Sequence, residues 1–443
     1  MGRAALDADH RTGARAARKH GGSGIGGGEM NSGITSTLTR ATGTAAPAPS
    51  QPLRICMIIS SYHPIVGGAE KQVAQLAGLM TGQGHEVYIL TRRYPGLAAT
   101  ETIDGVKVRR IALRKPVKGV GFILGAARMV RELNPDVIHC HSLFSPALAG
   151  ALGKRWTNAP LLAKPMCGGE ATSIASKPLG RQRLAYMARA VDRFPMVSRE
   201  IETELTELGV PAEKLRYIPN GVDGARFCPA RTPVEKDKLR LSLGLPAGPL
   251  FLFAGRLAAQ KRLPLLLEAW SDVRESIPQA TLAIAGANRA SGSGYHATFG
   301  ECDEIPAALL EQPGVRMLGH VADMPNLLRA VDVFVLPSAR EGLSNALLEA
   351  CASGLACITA RTGGAMDFMR DGENGLLFEV DDRQALATAL AQLATDAERR
   401  ARLGEAALRT VAESYDIRQT ATSLLAQYAE LGAGTRAATA GRR

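Results

Sequence analysis

The chain has 443 residues, 46% of them hydrophobic and 21% charged, which is enough for two domains with separate cores and ordinary for a globular protein. No apolar run approaches the ~18–20 residues a membrane-spanning helix needs, no secretory signal core opens the chain, and seven cysteines without a close Cys-x-x-Cys pair suit buried, reduced thiols of a cytoplasmic protein and not a disulfide framework or zinc site. The net charge of +11 sits largely at the ends: residues 1–52 carry +3, residues 432–443 another +3, and the body only +5, so nucleic-acid binding is not indicated.

Residues 1–52 are rich in Gly, Ala, Ser, Thr and Pro, too poor in large apolar side chains to offset their ordering entropy, and read as a disordered tail with Met30 an alternative start. Leu53–Ser60 is a near-continuous apolar strand of the parallel, buried kind. A turn carrying Gly67 and Gly68 leads into a helix over Ala69–Gln83 and a strand over Glu86–Thr91. Paired glycines let backbone approach a ligand at the strand end, but they do not make a Gly-x-Gly-x-x-Gly dinucleotide fingerprint. A strand over Val106–Ala112 and a helix over Val117–Leu133 follow. Between Gly105 and Arg131 there is no acidic residue. Lys107, Arg109, Arg110, Arg114, Lys115, Lys118, Arg128 and Arg131 give +8, with Val117, Val120, Phe122, Ile123 and Leu124 among them. A basic, partly apolar face of this kind suits anionic lipid.

Asp136–Ser142 reads as a strand that turns polar at its end, with His139 and His141 on one side of it. No third or fourth ligand lies nearby, so a metal is not expected. After the strand Leu161–Met166 comes Cys167-Gly-Gly-Glu170, a loop suited to the same cleft. Phe194–Ser198, a helix to Leu208, and Leu215–Pro219 lead to Asn220-Gly-Val-Asp223, a turn that closes this half. Residues 228–248 suit a linker with a short helix.

The strand–helix rhythm then repeats. Strands are expected at Pro249–Ala254, Ala280–Gly286, Val315–Leu318, Val331–Leu336, Ala356–Thr359 and Gly375–Phe378, with helices among them over Leu263–Ser276 and Arg383–Leu393. Two such runs imply two doubly wound parallel sheets that bind ligands beyond their strand C-termini. The most informative stretch is residues 337–354. The Val331–Leu336 strand is followed by a turn with Glu341 and Gly342, then a helix capped by Ser344 or Asn345 and stopped at Gly354. The helix start favours an anion, and Glu341 and Glu349 border it. Arg256 and Lys261, just past the Pro249–Ala254 strand, are two cations suited to phosphate oxygens.

The Glu-x7-Glu pair Glu341/Glu349 within EGLSNALLEACASG resembles the signature of glycosyltransferase family 4, retaining enzymes of the GT-B fold. GGAEKQV at Gly67, the Asp-Val-x-His-x-His run ending at His141, Pro-Asn-Gly-Val-Asp ending at Asp223, the Gly-Arg…Lys element at Arg256 and Lys261, and the terminal SYDIRQTATSLLAQYAELG are similar to that family's other elements. The resemblance covers residues 53–431 and implies two Rossmann-like domains facing each other across a cleft. The acceptor-side domain would span residues 53–222 plus a closing helix over 413–431, the nucleotide-sugar domain residues 223–412, and a disordered tail residues 432–443. It further implies a metal-independent hexosyltransferase without cofactor, moving sugar from a nucleoside-diphosphate sugar (UDP-sugar or GDP-mannose) to a saccharide or lipid-linked acceptor at the inner face of the membrane. In that scheme Arg256 and Lys261 neutralise the diphosphate, Glu349 holds the ribose, and Glu341 attends the sugar. The backbone at Gly67, Gly68, Gly342, Leu343, Ser344 and Asn345 meets donor, and His141 orients sugar or acceptor. Two departures stand out: Gly363-Gly-Ala-Met-Asp367 replaces Gly-Gly-x-Pro-Glu, and a long Gly/Ser-rich loop, residues 287–302, replaces a compact glycine turn. An epimerase or phosphorylase on the same fold and a non-catalytic nucleotide-sugar-binding scaffold are the rival readings.

Overall fold

The computed structural model describes residues 51–65, 67–113, 118–286 and 305–440. The tail read over residues 1–52 lies outside this range up to residue 50, as do Arg114, Lys115, the 287–302 loop and residues 441–443.

The first half opens with β1 (Arg54–Ile59), α1 (Gly68–Gly82), β2 (Glu86–Arg92), β3 (Thr100–Ile103), β4 (Val106–Ile111) and α2 (Lys118–Leu133). It continues with β5 (Val137–His141), α3 (Ser145–Thr157), β6 (Leu161–Lys164), α4 (Glu170–Ala175), α5 (Gly180–Ala190), β7 (Phe194–Met196), α6 (Arg199–Glu207) and β8 (Leu215–Tyr217). The sheet order is β3-β4-β2-β1-β5-β6, parallel except for β3, with β7 and β8 pairing separately. Strands β1, β5 and β6 are almost wholly buried between helices, which is why they read as near-continuous apolar runs and not as alternating ones, with His139, His141 and Lys164 the enclosed polar exceptions. Strand β3 was not anticipated. It is an antiparallel edge, mostly polar, closed onto β4 by Asp104-Gly105, both at positive φ (49° and 79°). That Asp-Gly pair is the one local sign of the hairpin.

The second half contains α7 (Pro233–Ser242), β9 (Leu250–Ala254), α8 (Leu263–Val273), β10 (Thr281–Ala285), α9 (Ala307–Leu310), β11 (Val315–Gly319), α10 (Met324–Ala330) and β12 (Val333–Leu336). After them come α11 (Asn345–Ala352), β13 (Ala356–Ala360), α12 (Gly363–Met366), β14 (Leu376–Phe378), α13 (Arg383–Thr395), α14 (Ala397–Ser414) and α15 (Ile417–Ala440). Its sheet runs β11-β10-β9-β12-β13-β14, all parallel. Trp270 of α8 is fully buried and meets Phe251 of β9 edge to face at 5.6 Å. In both sheets the order reverses once, between β1 and β5 and between β9 and β12, the place where open α/β sheets form a ligand crevice beyond the strand ends.

The chain end returns to the first half. Helix α15 packs on α1, and Leu424 and Tyr428 share a core with Ile55 and Met57. Expected over residues 413–431, this helix instead starts at Ile417, after a break at Tyr415, and continues to Ala440 because its last residues are mostly good or tolerable helix formers appended to an existing nucleus. The two strands of chain that pass between halves pair with each other: Val222 N–H donates to Tyr415 O (2.8 Å) and Ile417 N–H to Val222 O (3.1 Å). Gly221 lies against this crossing, where an added Cβ would sit 2.4 Å from Ile417 Cα. The requirement for glycine there is close backbone approach, and not only the Asn-Gly turn read from the sequence.

The structure also reassigns two residues of the basic stretch. Arg110 is buried, donating to His63 O (2.9 Å) and pairing with Glu101, and Phe122 is wholly enclosed, so neither belongs to a surface.

We predict that Gly221→Ala destabilises the protein by about 1–3 kcal/mol through forced separation of the crossing chains. Gly224→Ala, whose methyl would meet nothing within 4 Å, serves as the control. Urea midpoints that coincide for the two variants would show that the crossing yields freely.

Candidate active site

On the second half, the residues after β9 and β12 converge. The backbone N–H of Ala339 donates to Gln260 O (2.8 Å), which joins the two loops. Lys261 ends a short 3-10 turn, and its Nζ meets Glu341 Oε1 at 2.5 Å, both side chains mostly enclosed. Arg256 stands exposed on the same loop. The next residue, Arg262, takes a left-handed φ of 51° and turns away to Asp381, so Lys261 is the cation of that pair committed to the crevice.

Helix α11 begins beside Glu341. Ser344 is its cap, its hydroxyl accepting from Leu347 N–H (3.4 Å), and Gly354 ends the turn after it at φ 73°. Glu349 is buried on this helix, and burial raises its carboxyl above the usual range while Lys71 of α1 and Arg226 pull it back down. Asn345 Nδ2 donates to Gly68 O (2.6 Å), so the glycine turn of the first half abuts the start of α11. A Cβ on Gly67 would meet Glu70 Oε2 at 2.5 Å. The amino ends of α1 and α11 therefore lie together as two positive dipole ends.

The first half contributes the ends of β5 and β6. His141 is buried and its ring lies 4.3 Å from that of His139, whose Nδ1 meets Tyr428 Oη at 2.7 Å. His139 is the packed histidine of the two. Burial, His139 and Lys164 hold His141 well below its ordinary pKa, so it is a neutral imidazole, and its Nε2 has no hydrogen-bond partner among the described residues. The following residue, Ser142, sits at φ 105°, a strained backbone for a serine of the sort found at functional sites. Buried Glu170 holds it there by accepting from Ser142 Oγ and, at 3.0 Å, from Met166 N–H.

Lys164, which pattern reading did not single out, joins residues that it did. Lys164, the last residue of β6, is fully enclosed, and burial draws its pKa down to about 7. Its Nζ donates to Asn220 Oδ1 (2.7 Å), and Asn220 Nδ2 donates to Leu343 O (3.1 Å). The one sequence sign was a lysine closing an otherwise apolar strand. Gly342 seats on the loop after β6, where a Cβ would lie 2.4 Å from Met166 O, and Gly364 packs under Gly342 O. Asp367, which departs from the usual glutamate, accepts from Arg199 N–H (3.0 Å) at the start of α6. It thus joins the two halves at a distance from Lys261 in the chain and on a different loop. Among the described residues no group of three or more His, Cys, Asp or Glu side chains is arranged to hold a metal ion.

The profile described as "Glycosyltransferase Family 4" matches residues 66–226, and that described as "Glycosyl transferases group 1" matches residues 248–396. A D-inositol 3-phosphate glycosyltransferase of Jonesia denitrificans is 29% identical over 419 residues, 85% of this chain and 95% of that protein. A GDP-mannose-dependent alpha-(1-6)-phosphatidylinositol monomannoside mannosyltransferase of Mycolicibacterium smegmatis is 28% identical over 397 residues, 86% and 99% of the two chains. Among solved structures, sucrose-phosphate synthase from Thermosynechococcus elongatus superposes with a TM-score of 0.71 at 21% identity, over 86% of this chain and 100% of that one. Anabaena HepE in complex with UDP-glucose gives 0.69 at 20% identity, over 85% and 99%. These structural likenesses speak for the fold alone. Both halves match their family profiles, the two sheets have the GT-B arrangement, and the chain belongs to glycosyltransferase family 4 as a glycosyltransferase of the GT-B fold.

Proposed function

We propose that the protein is a retaining hexosyltransferase that moves a hexosyl unit from a nucleoside-diphosphate sugar to a lipid-linked saccharide, without a metal. The observation that carries this reading is the Lys261–Glu341 pair between the β9 and β12 loops, set beside the start of α11. A departing diphosphate needs positive charge where its negative charge grows, and Lys261, Arg256 and the facing helix ends of α1 and α11 supply it. The backbone at Gly67, Gly68, Gly342, Leu343, Ser344 and Asn345 meets the diphosphate and sugar, and Glu349 accepts from the ribose hydroxyls. Glu341, its carboxylate oriented by Lys261, accepts from a sugar hydroxyl and steadies positive charge at the anomeric carbon. The acceptor oxygen bonds to that carbon on the face the diphosphate leaves. The carbon–oxygen bond electrons depart with the diphosphate, which takes the acceptor's proton. His141, a neutral imidazole whose Nε2 has no partner among the described residues, orients the sugar or acceptor. The relatives named above act on an inositol phosphate and on a phosphatidylinositol mannoside, which supports a phosphorylated or lipid-borne acceptor.

A lipid-borne acceptor also fits the surface of α2 and α3. Val120 and Leu124 are 55% and 54% exposed on α2, and Arg131 stacks over the half-exposed ring of Trp156 on α3. No helix among the described residues is long and apolar enough to cross a membrane, so this face would rest on anionic lipid at the cytoplasmic side.

Four outcomes are expected. Thermal-shift screening of UDP- and GDP-sugars should return a stabilising donor, with about 2.7 kcal/mol gained at 100 times its Kd. Glu341→Ala and Arg256→Ala should each then lower turnover by roughly 10²-fold with the fold intact, whereas near-normal turnover removes that residue from the assignment. Turnover should persist in EDTA, and loss restored by magnesium or manganese would replace the side-chain cations with a metal. Anionic vesicles should sediment the wild type at low salt and release it at high salt, and a Val120→Asp, Leu124→Asp, Arg131→Glu variant should stay in solution. Equal sedimentation of the two proteins counts against the docking face.

A further inference from the structure

Burying an ammonium group costs several kcal/mol unless its environment repays it. A leucine or methionine would finish β6 at no such cost, since the strand is otherwise Leu161-Leu-Ala and wholly enclosed. Lys164 is nevertheless there. No carboxylate among the described residues forms an ion pair with it, and its side-chain hydrogen bond goes to a neutral amide, Asn220 Oδ1, at 2.7 Å. The neighbouring titratable groups, His139 and His141 on β5, are both held neutral beside it.

The chemistry of that contact dictates an orientation. A lysine ammonium has only donors and a backbone carbonyl only accepts. Asn220, lying between Lys164 Nζ and Leu343 O, can therefore satisfy both in just one of its two amide orientations, with Oδ1 toward the lysine and Nδ2 toward the carbonyl. Without the lysine, the Leu343 carbonyl still favours this orientation, but Oδ1 is left buried without its donor and one hydrogen bond holds the amide in place of two. The chain of contacts runs from the first half, through the joint between halves, to the residue after Gly342. Gly342 is seated against Met166 O two residues beyond Lys164.

We propose that Lys164 and Asn220 are a positioning pair: the lysine fixes the Asn220 amide, and the amide fixes the Leu343 carbonyl, so that the 342–345 backbone is held in the conformation that receives the donor. This rests on the reading of residues 342–345 as donor-binding. The pair touches neither donor nor acceptor. Its loss should weaken donor use while acceptor use and fold remain as they are.

The test compares Lys164→Met, Asn220→Asp, Asn220→Ala and the Lys164→Met/Asn220→Ala double variant with the wild type. UDP and GDP binding is measured by titration calorimetry, and donor and acceptor KM with UDP-glucose and GDP-mannose. Asn220→Asp is the decisive variant, because a carboxylate still accepts from Lys164, as an ion pair, but can no longer donate to Leu343 O. We expect unchanged or higher melting temperature for Asn220→Asp and a donor KM raised about tenfold, as loss of one buried hydrogen bond implies, with acceptor KM unchanged. The two single variants Lys164→Met and Asn220→Ala should match each other, and the double variant should be no worse than either. A wild-type donor KM in folded Asn220→Asp, or additive losses in the double variant, overturns the pair. Glu349→Ala, run alongside, separates the two levels. A raised donor KM there with no change in Asn220→Asp refutes the positioning pair alone, whereas no change in either, or no nucleotide binding by the wild type, removes the donor site and the pair with it.

Discussion

The two halves of this protein meet backbone to backbone, and the site exists because they can. At Gly342 the second half has no room against the first for a single added carbon, which would lie 2.4 Å from Met166 O, and Gly364 packs still more tightly beneath Gly342 itself. At Gly221 the same is true where the chain crosses between halves. Main chain packed this closely cannot be adjusted by rotating side chains, so in this arrangement the seating of the β12 loop on the loop after β6 depends on glycine at these positions. Everything chemical in the crevice is hung on that seam, from the Asn345–Gly68 contact to the run from Lys164 through Asn220 to Leu343.

The charges are arranged in two tiers. Lys261 and Arg256 sit at the crevice with Glu341, where a ligand can compete for them. Beneath them lies an enclosed polar layer, with Glu170 fixing Ser142 and the loop after β6, and His141 kept neutral by burial and by Lys164. Enclosed polar groups of this sort add little net stability, but they leave few alternative arrangements for the loops they hold, and preorganisation of the upper tier is what a transferase needs.

Family membership and catalytic chemistry are different inferences here. The fold is shared with proteins as different as a sucrose-phosphate synthase and HepE, so it carries no information about acceptor. Specificity must lie in particular side chains, and Asp367 is one place where this chain departs from the family's pattern. It binds the start of α6 and helps to hold the halves together.

By itself the sequence was enough for the two-fold strand–helix rhythm, the buried β1, β5, β9 and β12, a helix cap at Ser344 or Asn345 and the Glu341/Glu349 spacing, since these depend on period, propensity and turn chemistry within a few residues of one another. The edge strand β3 escaped because its side chains are mostly polar, and α15 was cut short because the pattern stops before the helix does. Arg110 looked like a surface cation until its position beneath the His63 turn was known. Which polar groups are enclosed, and what each one faces, was decided only by the tertiary structure. Lys164, Asn220 and Leu343 are separated by 56 and 123 residues along the chain. Nothing in local sequence can encode a contact between them, because it comes into being only when two separately folded sheets close upon each other.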